Sequence, residues 1–167
     1  IYRQMNPILI FDFNTKSDLS NWRVVNDGVM GGTSRSKFYL NSKGHGCFDG
    51  TVSLENNGGF CSVKYEFNSI SLDKNKIICL RIKGDGKNYQ FRVKTNKSDA
   101  HSYIYPFRTS GDWQNIEISV IEFYPSFRGR KLDIPNYDGS RLEEIAFLIG
   151  NKKGENFQLL LDRIEVK

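Results

Sequence analysis

Short apolar runs that alternate with polar residues follow one another along almost the whole chain. Ile8 to Phe13 is an apolar run of strand length, and the segments from Ser36 to Leu40 and from Trp113 to Val120 alternate. A period of two is typical of β-strands, and no long segment has the 3.6-residue period of a helix. About ten strands are predicted, over residues 8–13, 36–40, 47–54, 60–67, 77–82, 89–95, 103–105, 113–120, 144–149 and 157–166.

Turn residues separate these runs at short intervals. The segments from Gly84 to Asn88 and from Asn151 to Gly154 each lie between two runs and predict β-hairpins, because their glycines supply turn dihedrals. One helical turn is predicted after Ser17. The pattern therefore predicts an all-β fold with few short helical turns, a two-sheet β-sandwich or jelly roll, as a single domain over residues 1–167. Residues 1–7 are predicted to be an N-terminal tail.

Two glycine clusters form the most distinctive feature of the sequence. The first contains Gly28, Gly31 and Gly32, and the second contains Gly58 and Gly59. Glycine tolerates positive φ and close backbone approach, so both clusters predict tight turns. The carboxylates of Asp27 and Glu55 lie beside these turns and offer acceptors that tie each turn to itself or the two turns together. The predicted polar corner consists of Asp27, Gly28, Met30, Gly31, Gly32, Ser34, Glu55, Asn56, Asn57, Gly58 and Gly59.

Two long motifs contain these clusters. They read Trp22-x-Val24-Val25-Asn26-Asp27-Gly28-Val29-Met30-Gly31-Gly32-x-Ser34-x-Ser36 and Phe48-x-Gly50-x-Val52-Ser53-Leu54-Glu55-Asn56-Asn57-Gly58-Gly59-Phe60. Shorter pieces follow in order at residues 84–92, 123–130 and 145–149. Together they resemble the signature of the complex I intermediate-associated protein family. The resemblance implies a galactose-binding-like β-sandwich without catalytic activity. It also implies assembly of respiratory complexes in mitochondria, with a respiratory-complex subunit or assembly intermediate as the protein partner.

Catalytic constellations are scarce. Gly84-Asp85-Gly86 lacks the strand-to-helix setting of a dinucleotide site, and no Gly-Lys-Ser/Thr follows the first glycine cluster. Asp27 and Glu55 form the one carboxylate pair that the motifs bring into contact, and acid/base catalysis would need burial to push their pKa values apart. The favoured alternative is that both accept N–H bonds from the glycine turns. The sequence predicts a non-enzymatic protein without a cofactor.

Metal and disulfide sites are not predicted either. Cys47, Cys61 and Cys79 have no zinc-binding spacing, so we expect buried reduced thiols, with a Cys47–Cys61 disulfide as the alternative. Asp162 resembles the acidic residue of calcium-containing carbohydrate-binding jelly rolls. Calcium needs six or more oxygen ligands, and no Asp-x-Asp cluster supplies them, so a paired structural aspartate is favoured.

A polar and aromatic groove is one candidate binding site. Arg92 and Lys94 share a strand face with Gln90, and Tyr103 and Tyr105 share a face on the next strand. If both sets line the concave sheet, they form a groove for a sugar, an acidic ligand or a partner loop. The alternative is a solvated sheet face. The sugar groove makes a carbohydrate-binding module the second functional hypothesis.

A loop marked by Pro125 and Gly129 is the other candidate. Phe127, Arg128 and Arg130 combine aromatic and arginine side chains, which is the composition of interface anchors. The alternative is that the loop's aromatic residues plug one end of the sandwich.

The charge and hydropathy of the chain restrict its partners and its location. The net charge is +5, but no basic run is present, so nucleic acid is not a predicted partner. No apolar stretch has the length of a transmembrane helix. The odd cysteine count favours a cytoplasmic location. Periplasmic and mitochondrial locations stay open because the sequence begins at Ile1 rather than methionine.

Overall fold

The computed structural model describes residues 7–167, and their regular secondary structure is almost entirely β-strand. The predicted tail lies, apart from Pro7, outside the described residues. Thirteen strands are present: β1 (Ile8–Asp12), β2 (Trp22–Val24), β3 (Arg35–Leu40), β4 (Gly46–Val52), β5 (Cys61–Ile70), β6 (Ile77–Lys83), β7 (Asn88–Lys94), β8 (Ser102–Arg108), β9 (Trp113–Ser119), β10 (Tyr124–Phe127), β11 (Arg130–Lys131), β12 (Leu142–Ile149) and β13 (Glu155–Val166). Single 3-10 turns cover Asp27–Met30, Glu55–Asn57 and Val120–Glu122. The all-β prediction is confirmed.

The three strands that the sequence pattern missed, β2, β10 and β11, have four residues or fewer. Such lengths are too short to show a period of two. β10 also contains Pro125, which has no N–H to donate and is therefore tolerated near the edge of a sheet. The segment after Ser17 forms no helix, since the residues up to Trp22 are in turns and irregular backbone.

The strands form two antiparallel sheets. Sheet I has six strands in the order β3-β4-β13-β6-β9, and β1 also pairs with β13. Sheet II has seven strands in the order β11-β10-β8-β7-β12-β5-β2. The predicted hairpins are β6–β7 and β12–β13, but each of these connections passes from one sheet to the other. Their strands are therefore not paired with each other, which makes this part of the prediction wrong.

The core lies between the inner faces of the two sheets. Phe91 and Phe147 of sheet II are fully buried, with ring centroids 5.0 Å apart, and Phe48 and Leu159 of sheet I are buried opposite them. Phe91 alternates with the polar residues Gln90 and Arg92, whereas Phe147 lies between Ala146 and Leu148, and in both strands every second side chain points into the core. This is the two-layer arrangement that the alternating runs predicted.

The outer face of sheet II contains several side chains that are almost fully shielded from water. Ser62, Ile104 and Ala146 point away from the core yet are only 2% exposed, and Glu144 is 4% exposed. Protein atoms therefore cover these four side chains almost completely. We call the outer surface of sheet II, the side on which Arg92 and Lys94 lie, the concave face.

Candidate functional site

A single buried carboxylate joins the two glycine turns. Asp27 is fully buried and accepts hydrogen bonds from the backbone N–H groups of Ser34 (3.0 Å), Gly59 (2.7 Å) and Phe60 (3.3 Å). The Ser34 hydroxyl donates a further, short hydrogen bond to the same carboxylate. We call this arrangement the glycine corner. It connects the turn after β2 to the turn before β5.

Two kinds of constraint explain the glycines of this corner. Gly31 and Gly59 have φ values of +88° and +147°, which side-chain-bearing residues rarely adopt. Gly32 and Gly58 lack positive φ, but a Cβ at either position would collide with the Asp27 carboxylate, at 2.6 Å from Oδ2 in the case of Gly58. Gly28 has neither constraint.

The second turn contains the two asparagines. Asn56 and Asn57 have φ values of 55° and 61°, in the left-handed region that asparagine tolerates better than most residues. Glu55 is exposed and accepts a hydrogen bond from Thr33 Oγ1 (3.2 Å) rather than from a glycine N–H group. The expectation that both carboxylates accept backbone N–H bonds therefore holds for Asp27 and is wrong for Glu55. The side chain of Met30 lies outside what the structure describes.

Hydrogen bonding keeps Asp27 ionised. Burial alone raises the pKa of this carboxyl, but the bonds from Ser34, Gly59 and Phe60 outweigh burial and leave the pKa below its usual range. A carboxylate that already accepts four hydrogen bonds is poorly suited to act as a base. The Asp27 carboxylate therefore has a structural role, which is to hold the two glycine turns together.

The register of sheet II separates the residues of the predicted groove. Tyr105 lies opposite Phe91 and Tyr103 lies opposite Val93, so both tyrosines point into the core, whereas Arg92 lies opposite Ile104 and points outward. Residues directly opposite each other share a face of the sheet. The predicted groove of Arg92 and Lys94 with Tyr103 and Tyr105 is therefore wrong, because the sequence pattern of two strands does not specify how they pair.

The concave face is instead built from a different set of residues. One row crosses the sheet from β2 to β10 and consists of Arg23, Lys64, Ala146, Arg92, Ile104 and Tyr124. The adjacent row contains Glu66, Glu144 and Lys94. Sequence reasoning missed Lys64, although its place between the apolar residues Val63 and Tyr65, which both pack in the core, indicates an outward direction.

Positive charge dominates this face. Between β2 and β7 it carries the four cations Arg23, Lys64, Arg92 and Lys94 and the two carboxylates Glu66 and Glu144. Arg23 pairs with Glu66 at 2.8 Å, and Lys94 donates to the carbonyl oxygen of Asp99 at 2.7 Å. The excess positive charge therefore lies toward the centre of the face.

The central groups are desolvated. Burial lowers the pKa of Lys64 and of Arg92, and it raises the pKa of Glu144, in each case by disfavouring the charged form. Glu144 opposes the shift at Lys64, whereas the charges of Lys94, Arg23 and Arg92 add to it. The concave face therefore holds cations at a cost in solvation that Glu144 offsets in part.

The predicted binding loop is the β10–β11 hairpin. Its turn residues Arg128 and Gly129 have φ values of 50° and 78°, and Phe127 is 40% exposed with the Arg128 guanidinium 5.2 Å from its ring centroid. Arg130 is also exposed. Phe123, which precedes the hairpin, is fully buried in the core. One aromatic residue thus fills the sandwich and another projects from it, so each of the two interpretations describes part of the loop.

Comparison with known proteins bears on these features. Residues 11–161 match the family described as Complex I intermediate-associated protein 30. The chain belongs to this family. Its resemblance to the family, inferred from the glycine motifs, is confirmed.

Named relatives of this family member come from animals. It is 23% identical to "Complex I intermediate-associated protein 30, mitochondrial" of Drosophila melanogaster over 92% of this chain and 60% of that protein. It is 26% identical to the protein of the same name of Mus musculus over 95% of this chain and 55% of that protein. The chain thus spans little more than half the length of these relatives.

Solved structures with the same fold include carbohydrate-binding modules. The family 11 module of a cellulosomal cellulase of Clostridium thermocellum aligns with a TM-score of 0.71 and 17% identity over 98% of this chain and 95% of that chain. A family 11 module from Clostridium thermocellum in complex with a β-1,3-1,4-mixed-linked tetrasaccharide aligns with a TM-score of 0.67 and 16% identity over 98% of this chain and 96% of that chain. At this low sequence identity, the similarity shows that the family member has the same jelly-roll sandwich fold. It shows nothing about the ligand of the family member.

Asp162 of this family member lies between two basic side chains on sheet I. Its oxygens are 3.2 Å from Arg81 Nε and 3.6 Å from His45 Nε2, and the Trp113 ring packs against both of these residues. Residues 7–167 contain no group of three or more His, Cys, Asp or Glu side chains arranged to hold a metal ion. Asp162 is thus a paired aspartate rather than part of a recognisable calcium site.

The cysteines are unpaired. Cys47 and Cys61 are buried and Cys79 is half-buried, so the alternative of a Cys47–Cys61 disulfide is wrong for this structure. Burial raises the pKa of Cys61 to about 11, which keeps its thiol protonated at neutral pH. The part of the chain that the structure describes also has no helix long and apolar enough to cross a lipid bilayer.

Proposed function

We propose that this family member is a non-catalytic binding domain that acts in the assembly of a respiratory complex through contacts with a protein partner. Membership of the Complex I intermediate-associated protein 30 family supports the assembly role. The observation that carries the binding role is the concave face, a surface with four cations and two carboxylates. A respiratory-complex subunit or assembly intermediate is the proposed partner.

The glycine corner supports the non-catalytic part of the proposal. Its one buried carboxylate, Asp27, is occupied by four hydrogen bonds that hold two turns. The exposed carboxylate, Glu55, bonds to a threonine hydroxyl at the surface. The motif that identifies the family thus has a structural explanation that requires no reaction.

Affinity capture followed by mass spectrometry tests the assembly role. The tagged chain is expressed in its own cells and cross-linked before capture, and the tag alone serves as the control. We expect respiratory-complex subunits to be enriched with the tagged chain. Enrichment no greater than with the tag alone would contradict the proposed assembly role.

A sugar is the second candidate ligand. The fold is shared with carbohydrate-binding modules, one of which is in complex with a mixed-linked tetrasaccharide. Tyr124 is the aromatic residue that the central row of the concave face offers for stacking on a sugar ring. A glycan array probed with wild type and Tyr124→Ala tests this candidate. Binding that is lost in Tyr124→Ala supports it, and no binding to any glycan removes it.

A cytoplasmic location is also part of the proposal. Cysteines that are buried and unpaired are typical of proteins in reducing compartments. The named relatives are mitochondrial proteins in their own organisms. Fractionation of the source cells, with immunodetection of the chain, tests the location, and recovery in an oxidising compartment would contradict it.

A further inference from the structure

We propose that the concave face binds an acidic segment of the protein partner, with one carboxylate of that segment held between Lys64 and Arg92 above Ala146. This inference rests on the proposed function and names the chemistry of the partner. We call the three residues the Ala146 notch.

The Ala146 notch places two cations at a spacing that one ligand group can bridge. Ala146 lies opposite Lys64 on one side and Arg92 on the other, so the three residues occupy adjacent strands of one row. Neighbouring strands are about 4.8 Å apart, which separates the backbones of the two cations by about 10 Å. Ala146 carries only a methyl group between them, whereas the other outward residues of β12 are Glu144 and Leu148.

Neither cation is held by a direct ion pair. Among residues 7–167, Lys64 and Arg92 take part in none of the ion pairs, although the charge of Glu144 favours the charged form of both. The guanidinium of Arg92 makes one side-chain hydrogen bond, from Nε to Gln90 Oε1 at 3.0 Å. A guanidinium has five N–H donors in a planar fork that matches a carboxylate. The remaining donors of Arg92 are thus available for a ligand.

Desolvation gives a reason for a ligand at this place. Lys64 and Arg92 are half-buried, and burial disfavours their charged forms. A buried charge without a partner is costly, and an incoming carboxylate offsets that cost. The other two cations of this part of the face, Arg23 and Lys94, are already engaged by Glu66 and by a carbonyl oxygen. An added negative charge is therefore favourable at the notch, where the single carboxylate Glu144 compensates the two cations only in part.

The composition of the face favours a peptide over other anionic partners. A sugar polymer is bound largely by stacked aromatic rings, but Tyr103 and Tyr105 point into the core and leave Tyr124 in the row. Nucleic acid requires a continuous basic surface, but Glu66 and Glu144 lie among the cations. The carboxylates of an acidic peptide segment can pair with the cations of this face, and its hydrogen-bond donors can bond to Glu66 and Glu144.

Calorimetric titration with a peptide of ten glutamates tests the inference on the full chain at low ionic strength. We expect the wild type to bind and Arg92→Gln and Lys64→Gln each to bind about tenfold more weakly, because each loses a charge-assisted contact. Ala146→Leu keeps every charge but adds bulk between the two cations, at a position that is only 2% exposed, and is expected to lose a similar amount. Arg92→Lys is expected to recover part of the binding.

Lys83→Gln is the matched control. Lys83 lies on the outer face of sheet I opposite Trp113, is half-buried and takes part in no ion pair among the described residues, so its substitution changes the net charge equally. We expect its affinity to stay within about twofold of the wild type. Thermal unfolding midpoints of all variants verify that they fold. If a glutamine variant does not fold, Ala146→Leu and Arg92→Lys test the inference in its place.

Three outcomes would overturn the inference. One is equal loss of binding in Lys83→Gln and Arg92→Gln, which indicates a general charge effect. Another is no binding of the peptide to wild type at millimolar concentration. The third is binding of polygalacturonate without binding of the peptide, which assigns the notch to an acidic sugar.

The capture experiment separates this inference from the proposed function. If Arg92→Gln and Ala146→Leu still capture the respiratory subunits that the wild type captures, the proposed function stands and the notch is not the docking site. If the wild type captures no such subunits, the proposed function fails whether or not the peptide binds. Loss of capture in Arg92→Gln and Ala146→Leu, with capture retained in Lys83→Gln, supports the proposed function and the notch as the docking site.

Discussion

Asp27 accepts four hydrogen bonds that no other side chain of the glycine corner can replace. Three of them come from backbone N–H groups on two turns that are about thirty residues apart in the chain. A buried N–H group without a partner costs about 1–3 kcal/mol. The corner therefore depends on a carboxylate at this position more than on any one of its glycines.

We expect Asp27→Asn to lower the free energy of unfolding at pH 7 by about 2–4 kcal/mol, because the amide accepts fewer hydrogen bonds and loses the charge. Urea denaturation measures the change. Glu55→Gln is the control and is expected to change stability by less than about 0.5 kcal/mol, since Glu55 is exposed. Equal effects of the two substitutions would contradict the conclusion that Asp27 holds the two glycine turns together.

The difference in stability between wild type and Asp27→Asn is also expected to depend on pH. Because the folded pKa of Asp27 lies below its unfolded value of about 3.9, its contribution is fully present above that value and is lost as the pH falls through the folded pKa. The stability difference between wild type and Asp27→Asn should therefore be constant from pH 7 to about pH 5 and shrink toward pH 2. A difference that grows in acid would show that the pKa of Asp27 is raised.

Gly59 and Gly28 are expected to respond differently to the same substitution. Gly59→Ala forces a Cβ into a region near φ +147° and should cost on the order of 1–3 kcal/mol in the free energy of unfolding. Gly28→Ala meets open space without positive φ and should leave stability within about 0.5 kcal/mol. Chemical denaturation compares them, and a Gly28→Ala variant as unstable as Gly59→Ala would argue against this account of the turn.

Strand pairing decides the role of the aromatic residues of β8 and β10. Tyr105 packs against Phe123 in the core with ring centroids 6.0 Å apart, whereas Tyr124 lies on the concave face beside Arg92. The two tyrosines are alike in chemistry and both are half-buried. Their contributions to stability therefore depend on which side of the sheet they occupy.

We expect Tyr105→Ala to lower the free energy of unfolding by about 2–3 kcal/mol, less than for a fully buried aromatic residue. Tyr124→Ala is its matched control and should lower it by less than about 1 kcal/mol, because its removal leaves no hole in the core. Urea denaturation at neutral pH checks both values. The reverse order would indicate that β7 and β8 pair one residue out of the observed register.

The two sheets are expected to unfold together. Their inner faces share one continuous core, and β12 and β13, which are adjacent in sequence, belong to different sheets. Separate unfolding of one sheet would expose the buried face of the other. The predicted single domain should therefore behave as one cooperative unit.

Single-tryptophan variants test this prediction. Trp113→Phe leaves Trp22 as a fluorescent reporter in sheet II, and Trp22→Phe leaves Trp113 as a reporter in sheet I. Within each variant, we expect the fluorescence and far-ultraviolet circular dichroism transitions in urea to coincide. Two separate transitions in either variant would show that the chain consists of more than one folding unit.

The sequence by itself determined the strands longer than four residues, the two-layer core and the family. Alternation is a local property, so the side chains of Phe91 and Arg92 are assigned to opposite faces without knowledge of any other strand. The requirement for tight turns at Gly31 and Gly59 is local as well. These features could be predicted because neighbouring residues alone decide them.

Only the tertiary structure decided which residues share the concave face. Lys64, Ala146 and Arg92 meet because β12 pairs with β5 on one side and with β7 on the other, across large separations in sequence. A shift of one residue in either pairing would move every side chain of that strand relative to its neighbours. Packing of the whole core selects the register, which is why Tyr103 and Tyr105 were assigned to the binding face from sequence and lie instead in the interior.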